Sequence, residues 1–189
     1  FGGFYIGRYE TGKVDTSIVV KKEQTVYSNL PWGKSMVDVG TDSAVTLSRS
    51  MYNSSVSVVS TLIYGVQWDA ALNFISKIDS TYATNSYGKG WYNVNECNYT
   101  TTNPSHLTGK DILEDGKITN APCNIYDMAG NMLEWTMEGI HIATNDNLRI
   151  VRGGSYGGLG KSNPASYRSN KIPNGILDRG GFRIALYLK

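Results

Sequence analysis

Residues 80 to 121 show neither helical nor strand periodicity, and Gly, Asn, Thr and Ser dominate them. Stretches of this kind are unusual inside compact domains, where they are commonly functional or fixed by ions or bridges. The whole chain has a matching composition, with 21 Gly, 13 Tyr and only 18% charged residues. These features favour a fold in which strands are joined by long irregular loops. Binding surfaces and secreted β-rich domains both share this composition.

Length and charge narrow the class of protein. A chain of 189 residues suits one domain, here residues 1–189. The 18 basic and 16 acidic residues give a net charge of +2, which offers no electrostatic footprint for nucleic acid or an anionic membrane. No apolar run approaches the roughly 20 residues of a membrane span. We therefore expect neither nucleic-acid binding nor membrane insertion.

Two segments have helical periodicity, residues 43–53 and residues 65–78. The second gives the stronger signal, because its apolar positions recur at intervals of three and four residues. The apolar stripes are Val45, Leu47 and Met51 in the first segment, and Trp68, Ala71, Leu72, Ile75 and Ile78 in the second.

Strand patterns occur near both ends of the chain, in "FYIGRYETG", "LRIVRGGSY" and "FRIALYL". Between them, Asp115-Gly116 in "ILEDGKI" suits the type I′ turn of a hairpin. Gly153 and Gly154 end a strand at a point where glycine permits either a positive φ or a close backbone approach. The expected fold class is α+β, with two helices around a central, mostly antiparallel sheet and long loops.

The stretch "RGGSYGGLGKS" at residues 152–162 has the ending of a phosphate-binding loop. Such a loop needs a Gly, four free residues and then Gly-Lys-Ser or Gly-Lys-Thr. Counting back from Gly160 places Ser155 where the first Gly should stand, and Pro164 would interrupt the helix that must follow. We therefore expect no nucleotide.

Cys97 and Cys123 are the only cysteines, and His106 and His141 the only histidines. Their spacing matches no zinc pattern, and no Cys-x-x-Cys occurs. We expect neither a zinc nor an iron site. Whether the two cysteines are bonded is open from the sequence, and a bond would stabilise the fold by about 3.5 kcal/mol.

Three motifs in order carry a family resemblance: "YDMAGNMLEWT" (126–136), "VRGGSY" (151–156) and "GFRIAL" (181–186). They resemble the formylglycine-generating enzyme, or sulfatase-modifying factor, family, whose domain has a C-type-lectin-like fold. The resemblance implies that Gly153 and Gly154 are core glycines beside the central sheet. It also implies partly buried, charge-paired arginines at positions 152, 168 and 183. Candidate partners for Arg152, Arg168 and Arg183 include Glu134 and Asp69.

In that family the turn around "DMAGNMLEW" holds a structural calcium ion. Carried over position by position, the ligands would be the side chains of Asp127 and Glu134 and the backbone oxygens of Gly130 and Met132. These are the hard oxygen donors that calcium prefers. The alternative is that Asp127 caps a turn and Glu134 pairs with an arginine.

The chemistry of the family depends on a cysteine pair after the Gly-Gly-Ser motif, which binds copper. Residues 150–189 contain no Cys, and Gly158 and Asn163 stand in the neighbouring positions. The related sulfoxide synthases use histidine-ligated iron, and two isolated histidines cannot supply a three-His site. We therefore expect neither copper nor iron, and no enzyme of either kind.

Residues 156–180, between "RGGSY" and "GFR", resemble the variable proteins of diversity-generating retroelements, which display a hypervariable patch on the same fold. The resemblance implies a ligand-binding segment with an anchor such as Tyr167 or Leu177. The alternative is an ordinary solvated loop whose Leu and Ile pack beneath it. The expected ligand-binding residues are Tyr156, Leu159, Lys161, Asn163, Tyr167, Asn170, Lys171, Asn174, Ile176, Leu177, Asp178 and Arg179.

The function expected first is a non-catalytic binding module, a receptor-binding or adhesion domain of a phage tail or bacterial surface protein. Its ligand would be a protein or carbohydrate on a cell surface, and its location extracellular, at a cell surface or on a virion. The second expectation is an oxidoreductase of the family with altered chemistry. The third is a structural domain of a larger assembly.

Overall fold

The computed structural model describes residues 3–33, 43–93, 107–140 and 147–189. Within these ranges the chain forms two helices, α1 (Ala44–Ser50) and α2 (Gly65–Ile75), and a set of short strands. The strands are β1 (Phe4–Ile6), β2 (Gly12–Val14), β3 (Ser17–Val19), β4 (Gln24–Thr25), β5 (Val58–Leu62), β6 (Leu107–Thr108), β7 (Leu113–Glu114), β8 (Lys117–Ile118), β9 (Leu133–Ile140), β10 (Leu148–Arg152), β11 (Arg168–Lys171), β12 (Gly180–Phe182) and β13 (Ile184–Leu188).

The strands form two main sheets instead of the one central sheet expected. One has the order β1-β13-β5 and is antiparallel throughout. The other has the order β11-β10-β9-β12, and its only parallel pair among the described strands is β12 with β9. Arg183 alone separates β12 from β13, so the chain passes from one sheet to the other at that residue. The ribbons β2-β3, β4-β6 and β7-β8 complete the α+β fold.

Both expected helices form, each shorter than its apolar pattern. In α2 the stripe of Trp68, Ala71, Leu72 and Ile75 is buried as predicted. Ile78 was wrongly included in this stripe, because the helix ends at Ile75 and Ile78 is 74% exposed. No helix in the described ranges is both long enough and apolar enough to cross a bilayer.

The hairpin expected at Asp115-Gly116 is confirmed. Its strands are β7 and β8, and the two turn residues have φ of 50° and 74°. A type I′ turn needs positive φ at both central positions. The local sequence is therefore sufficient to specify this turn.

All four tryptophans are buried, and each uses its indole N–H to fix a distant part of the chain. Each of these N–H groups donates to a backbone carbonyl about 3 Å away. Buried indoles need such acceptors, and three of the four acceptors here lie in loops, the exception being Thr136 of β9. The pairs are Trp32 with Thr136, Trp68 with Ala165, Trp91 with Lys110, and Trp135 with Leu30.

Two large apolar clusters dominate the core, and a small third one joins Trp91 to Ile112. The first packs α1 against both sheets and includes Leu62, Trp135 and Phe182. The second lies under α2 and includes Trp68 and Tyr82. Tyr82, in the stretch without periodicity, is fully buried, so part of that stretch belongs to the core and is not a solvated loop.

Candidate functional site

A buried group of charged residues joins the start of the chain to its last strands. We call Glu10, Asp127, Glu134 and Arg183 the ionic core, and at most 1% of each is exposed. Arg183 donates from Nη2 and Nε to the two oxygens of Glu134, at 2.7 and 3.1 Å. It also donates to the backbone oxygens of Gly7 and Tyr126, each at 2.8 Å. A guanidinium satisfied in this way can remain charged in the interior.

The other two carboxyl groups of the ionic core have amide donors. Glu10 accepts hydrogen bonds from the side chain of Asn131 and from the backbone N–H of Met132. Asp127 accepts from the backbone N–H of Gly109 at 2.7 Å and from Asn120 at 3.1 Å. Burial raises the pKa of Glu10 well above its usual value and that of Asp127 to about 6. Because these three carboxyl groups are buried around a single guanidinium, their protonated forms are favoured.

Asp127 and Glu134, two of the expected calcium ligands, lie in this ionic core. As the structure stands they do not fit an ion, because the guanidinium of Arg183 lies on both oxygens of Glu134 and would repel a cation there, while both oxygens of Asp127 accept hydrogen bonds. Among the described residues, no three His, Cys, Asp or Glu are grouped so as to hold a metal. The alternative pairing of Glu134 with an arginine is present. Calcium at Asp127, Gly130, Met132 and Glu134 stays a prediction that would require these donors to move.

The two other expected arginines also have carboxylate partners. Arg152 is nearly buried and pairs with Asp69 on α2. Arg168 pairs with Glu138 of β9 at 2.6 Å, but it is exposed on β11, so the expectation of partial burial was wrong for this residue. Arg152 also donates to the backbone oxygen of Ser166 at 2.9 Å, so it stabilises the chain just before β11.

Gly153 and Gly154 mark the point where the chain leaves β10, and both are buried. Gly153 has a φ of 72°. A Cβ on Gly154 would lie 2.3 Å from the backbone oxygen of Asn163 and 2.4 Å from the ring of Tyr92. One glycine therefore supplies positive φ and the other a close approach. Together they turn the chain into residues 156–180, which we call the display segment.

The first part of the display segment is held through its backbone. Asn163 donates its N–H to Leu159 at 2.7 Å, and its carbonyl accepts from the Tyr92 hydroxyl at 2.9 Å. The N–H of Asn93 donates to the carbonyl of Gly158 at 3.0 Å. Lys161 projects outward, with Nζ 5.1 Å from the ring centroid of Tyr87. The backbone is thus fixed while its side chains reach solvent.

The second part of the segment surrounds a groove of about 330 Å³ at the free end of β11. Trp135 is fully buried and contributes to its lining, whereas Ile172 and Ile176 are 59% and 74% exposed. We call this the isoleucine groove. Its lining residues are Trp135, Leu148, Asn170, Lys171, Ile172, Gly175, Ile176 and Leu177.

The two ends of the display segment meet. The guanidinium of Arg179 lies 5.3 Å from the ring centroid of Tyr156 and covers Gly157 so closely that a Cβ there would clash with it. Arg179 also approaches Asp178, at 3.5 Å. This contact closes the segment into one surface.

The structure exposes most, but not all, of the residues expected to bind a ligand. Leu177 is only 5% exposed and belongs to the first core cluster, so the expectation that it lies on the exposed face was wrong, although it contributes to the lining of the isoleucine groove. Tyr156, Asn163 and Tyr167 are half-buried. The exposed ones are Leu159, Lys161, Asn170, Lys171, Asn174, Ile176, Asp178 and Arg179.

Sequence reasoning missed several residues of this site. Ile172 lies within the segment and is exposed, and an apolar residue in so polar a loop was a usable signal. Trp135 and Leu148 come from neighbouring strands, and nothing local in the sequence places them at the groove. Cys97, His106 and His141 lie outside the described residues, so a bond between Cys97 and Cys123 stays open; Cys123 itself is half-buried.

Comparison with known proteins gives a family match over most of the chain. The family described as "Sulfatase-modifying factor enzyme 1-like domain" matches residues 66–188. No curated protein matches the sequence at a significant level.

Solved structures with this fold include PvdO from Pseudomonas aeruginosa, with a TM-score of 0.54 and 14% identity over 97% of this chain and 80% of that one. CarF matches with a TM-score of 0.44 and 19% identity, covering 67% of this chain and 46% of that chain. Treponema denticola variable protein 1 matches with a TM-score of 0.43 and 19% identity, covering 67% and 47%. The chain thus spans about half the length of the last two. At these identities the likeness concerns the fold, and the expected α+β, C-type-lectin-like class is confirmed.

Proposed function

Because the chain belongs to the sulfatase-modifying factor enzyme 1-like domain family, we propose that it uses the family's scaffold to bind a ligand instead of catalysing a reaction. The display segment is the binding surface, and the isoleucine groove is its centre. Tyr167, the other residue expected as an anchor, is half-buried, so we assign it a secondary role in binding the ligand. The anchoring role expected of Leu177 alone belongs to the whole isoleucine groove, which Leu177 helps to line.

One observation carries this proposal: Ile172 and Ile176 are exposed beside a groove on a fixed backbone. Isolated apolar side chains on a surface are common, but apolar residues gathered around a concavity mark interaction sites. Asn170 and Lys171 lie in the same groove and can supply polar contacts. An apolar centre with a polar rim is the usual anatomy of a recognition surface.

The sequence supports a non-catalytic role. The oxidative chemistry of formylglycine-generating enzymes needs two thiolates after the Gly-Gly-Ser motif, which select a soft copper ion. Residues 150–189 contain no Cys, and a glycine and an amide at positions 158 and 163 are not copper ligands of this kind. The scaffold is therefore used without that metal site.

We further propose that the domain acts in receptor binding or adhesion, as part of a phage tail or bacterial surface protein outside the cell. The ligand would be a protein or carbohydrate on a target cell. Tyr and Asn on the display segment suit either, because Tyr provides contact area at low entropic cost and Asn adapts its hydrogen bonds. Diversification of the segment predicts a near-copy of codons 155–183, differing at adenines, beside a reverse transcriptase gene.

The binding proposal is tested on arrays of glycans and of cell-surface ectodomains. The wild-type domain is compared with the double variant Ile172→Ser, Ile176→Ser. The matched control is Val56→Ser, Val66→Ser, which changes two residues that are 90% and 77% exposed and do not line the groove. We expect the groove variant to lose the ligands that the control retains. Equal binding by both variants would refute the groove as the site.

The enzymatic alternative has its own test. The domain is loaded with Cu(I) and incubated with a cysteine-containing peptide while oxygen uptake is followed. We expect no uptake above that of the peptide with copper alone. Turnover that requires the folded domain would overturn the non-catalytic proposal.

A further inference from the structure

A second groove, of about 510 Å³, lies where the C-terminal end of α1 meets β5 and the end of β13. It shares no residue with the display segment or the isoleucine groove. We call it the tyrosine groove. The residues that characterise it are Arg49, Tyr52, Val59, Tyr64, Tyr187 and Lys189.

Partly buried hydrogen bonds fix the walls of the tyrosine groove. The Ser60 hydroxyl accepts from the backbone N–H of Tyr52 at 3.2 Å, and so holds the end of α1 against β5. Gln67, only 4% exposed, accepts from the N–H of Tyr64 at 2.8 Å and donates to the Tyr187 hydroxyl at 2.6 Å. The backbone at Tyr52 and Tyr64 and the hydroxyl of Tyr187 are therefore positioned before any ligand arrives. Such preorganisation lowers the entropic cost of binding.

The groove has cationic side chains and no acidic side chain among the described residues that line it. None of the ion pairs between described residues involves Arg49. Lys189 donates from Nζ to the backbone oxygen of Ser55 at 2.8 Å, which is a neutral partner. Two cationic side chains thus border an open groove that has no acidic side chain among its described lining residues.

The aromatic residues offer surface of mixed polarity. Tyr52 and Tyr64 are 42% and 39% exposed, and Val59 of β5 is 41% exposed. A tyrosine ring presents an apolar face and a hydroxyl that can donate or accept. Burial raises the pKa of Tyr187, so its hydroxyl stays protonated at neutral pH. These groups suit a ligand that combines a ring with an apolar face, several hydroxyls and a negative charge.

We propose that the tyrosine groove binds a saccharide that carries a carboxylate, such as a uronic acid residue. The carboxylate lies at Arg49 and Lys189, because a guanidinium pairs with a carboxylate through two parallel hydrogen bonds. The sugar ring lies against Tyr52 and Tyr64. The volume of the groove is in the range typical of small-ligand sites.

An acidic extended peptide is the obvious competitor for such a groove, and the structure disfavours it. A peptide of this kind gains much of its affinity by adding a strand to a sheet edge. The edge strand here is β5, but Ser60 is only 3% exposed and Leu62 is fully buried. Its middle therefore offers no accessible backbone for pairing.

The experiment is calorimetric titration of the folded domain with a glucuronate-containing disaccharide and with its uncharged glucose counterpart. We expect the charged sugar to bind about tenfold more tightly, and Arg49→Gln to remove that preference. Arg49 and Lys189 are both exposed, so Lys189→Gln serves as a second variant if the first does not fold. Lys161→Gln, a cation outside the groove, is the matched control and should keep the wild-type affinity.

Three results would overturn the proposal: no binding of the charged sugar at millimolar concentration, equal affinity for the two sugars, or unchanged affinity in the folded Arg49→Gln or Lys189→Gln variant. Tighter binding of a Glu-rich hexapeptide would overturn it in favour of a peptide ligand. The variant Ile172→Ser, Ile176→Ser should bind the disaccharide normally. The two sites can therefore fail independently.

Discussion

The ionic core and the display segment differ in whether side chains or the backbone make their hydrogen bonds. In the ionic core, Arg183 and three carboxyl groups are buried and held by hydrogen bonds through their side chains. In the display segment the hydrogen bonds of residues 158–163 are made mainly by the backbone, and most side chains reach solvent. The side chains that stabilise the fold are thereby separated from the side chains that can contact a ligand. Changes in the first group should affect folding, and changes in the second should affect binding.

The largest effect is expected in the ionic core. Arg183→Met leaves Glu134 buried without its partner and removes the donors to Gly7 and Tyr126. Breaking a buried pair from one side costs about 3 to 5 kcal/mol. Urea unfolding measures this loss. The double variant Arg183→Met, Glu134→Leu should recover part of the stability, and a double variant no more stable than Arg183→Met would show that the pair is not the cause.

The protonation of the ionic core gives the next effect. The pKa of Asp127 is raised to about 6 in the folded protein from 3.8, so the folded state holds a proton that the unfolded chain has lost. The contribution of Asp127 to the free energy of unfolding therefore falls as pH rises from about 4 to about 6, by on the order of 2 to 3 kcal/mol.

The check for this prediction is the pH dependence of unfolding in EDTA for the wild type and Asp127→Asn. The stability of the variant relative to the wild type should rise across this pH window, whatever the cost of the substitution itself. Parallel curves would mean that the carboxyl group is not perturbed.

A third test compares two glycines: Gly154, which is buried where the chain leaves β10, and Gly175, which lies within the display segment. Gly154→Ala drives a methyl group against the backbone of Asn163 and the ring of Tyr92, and overpacking of this kind costs about 1 to 3 kcal/mol. At Gly175 the nearest atom to a Cβ is 3.6 Å away, so Gly175→Ala should change stability by less than about 0.5 kcal/mol. Thermal unfolding measures the stability that each variant loses. Equal losses for Gly154→Ala and Gly175→Ala would contradict the distinction between the two regions.

The smallest effect is expected from calcium. Because the guanidinium of Arg183 lies on both oxygens of Glu134 and would repel a cation there, millimolar calcium should shift Tm by less than about 1 °C. A rise of several degrees that disappears in Asp127→Asn would instead establish the calcium site expected from the family.

Local patterns predicted those parts of the fold whose cause is local. The apolar stripe of α2, the turn at Asp115-Gly116 and the two uses of Gly153 and Gly154 all follow from short sequences. The pairing of Arg183 with Glu134 was among the partners that the family motifs suggested.

The rest depends on contacts between distant residues. Glu10 joins the ionic core from the other end of the chain, and no spacing rule brings it to Asn131. Leu177 stands between two exposed residues in a loop without periodicity, and it is buried where the absence of a side chain on Gly180 leaves room for it. Burial of this kind is decided by packing, which the local sequence does not encode.

The most direct test is a pair of randomised libraries on a display system that reports folding by protease resistance. One library varies eight exposed positions: Leu159, Lys161, Asn170, Lys171, Ile172, Asn174, Ile176 and Asp178. The other varies eight buried ones: Glu10, Asp127, Glu134, Arg152, Gly153, Gly154, Leu177 and Arg183. We predict that most members of the first library fold and almost none of the second do. Similar folded fractions in the two libraries would contradict the claim that the residues that stabilise the fold are separate from those that form the recognition surface.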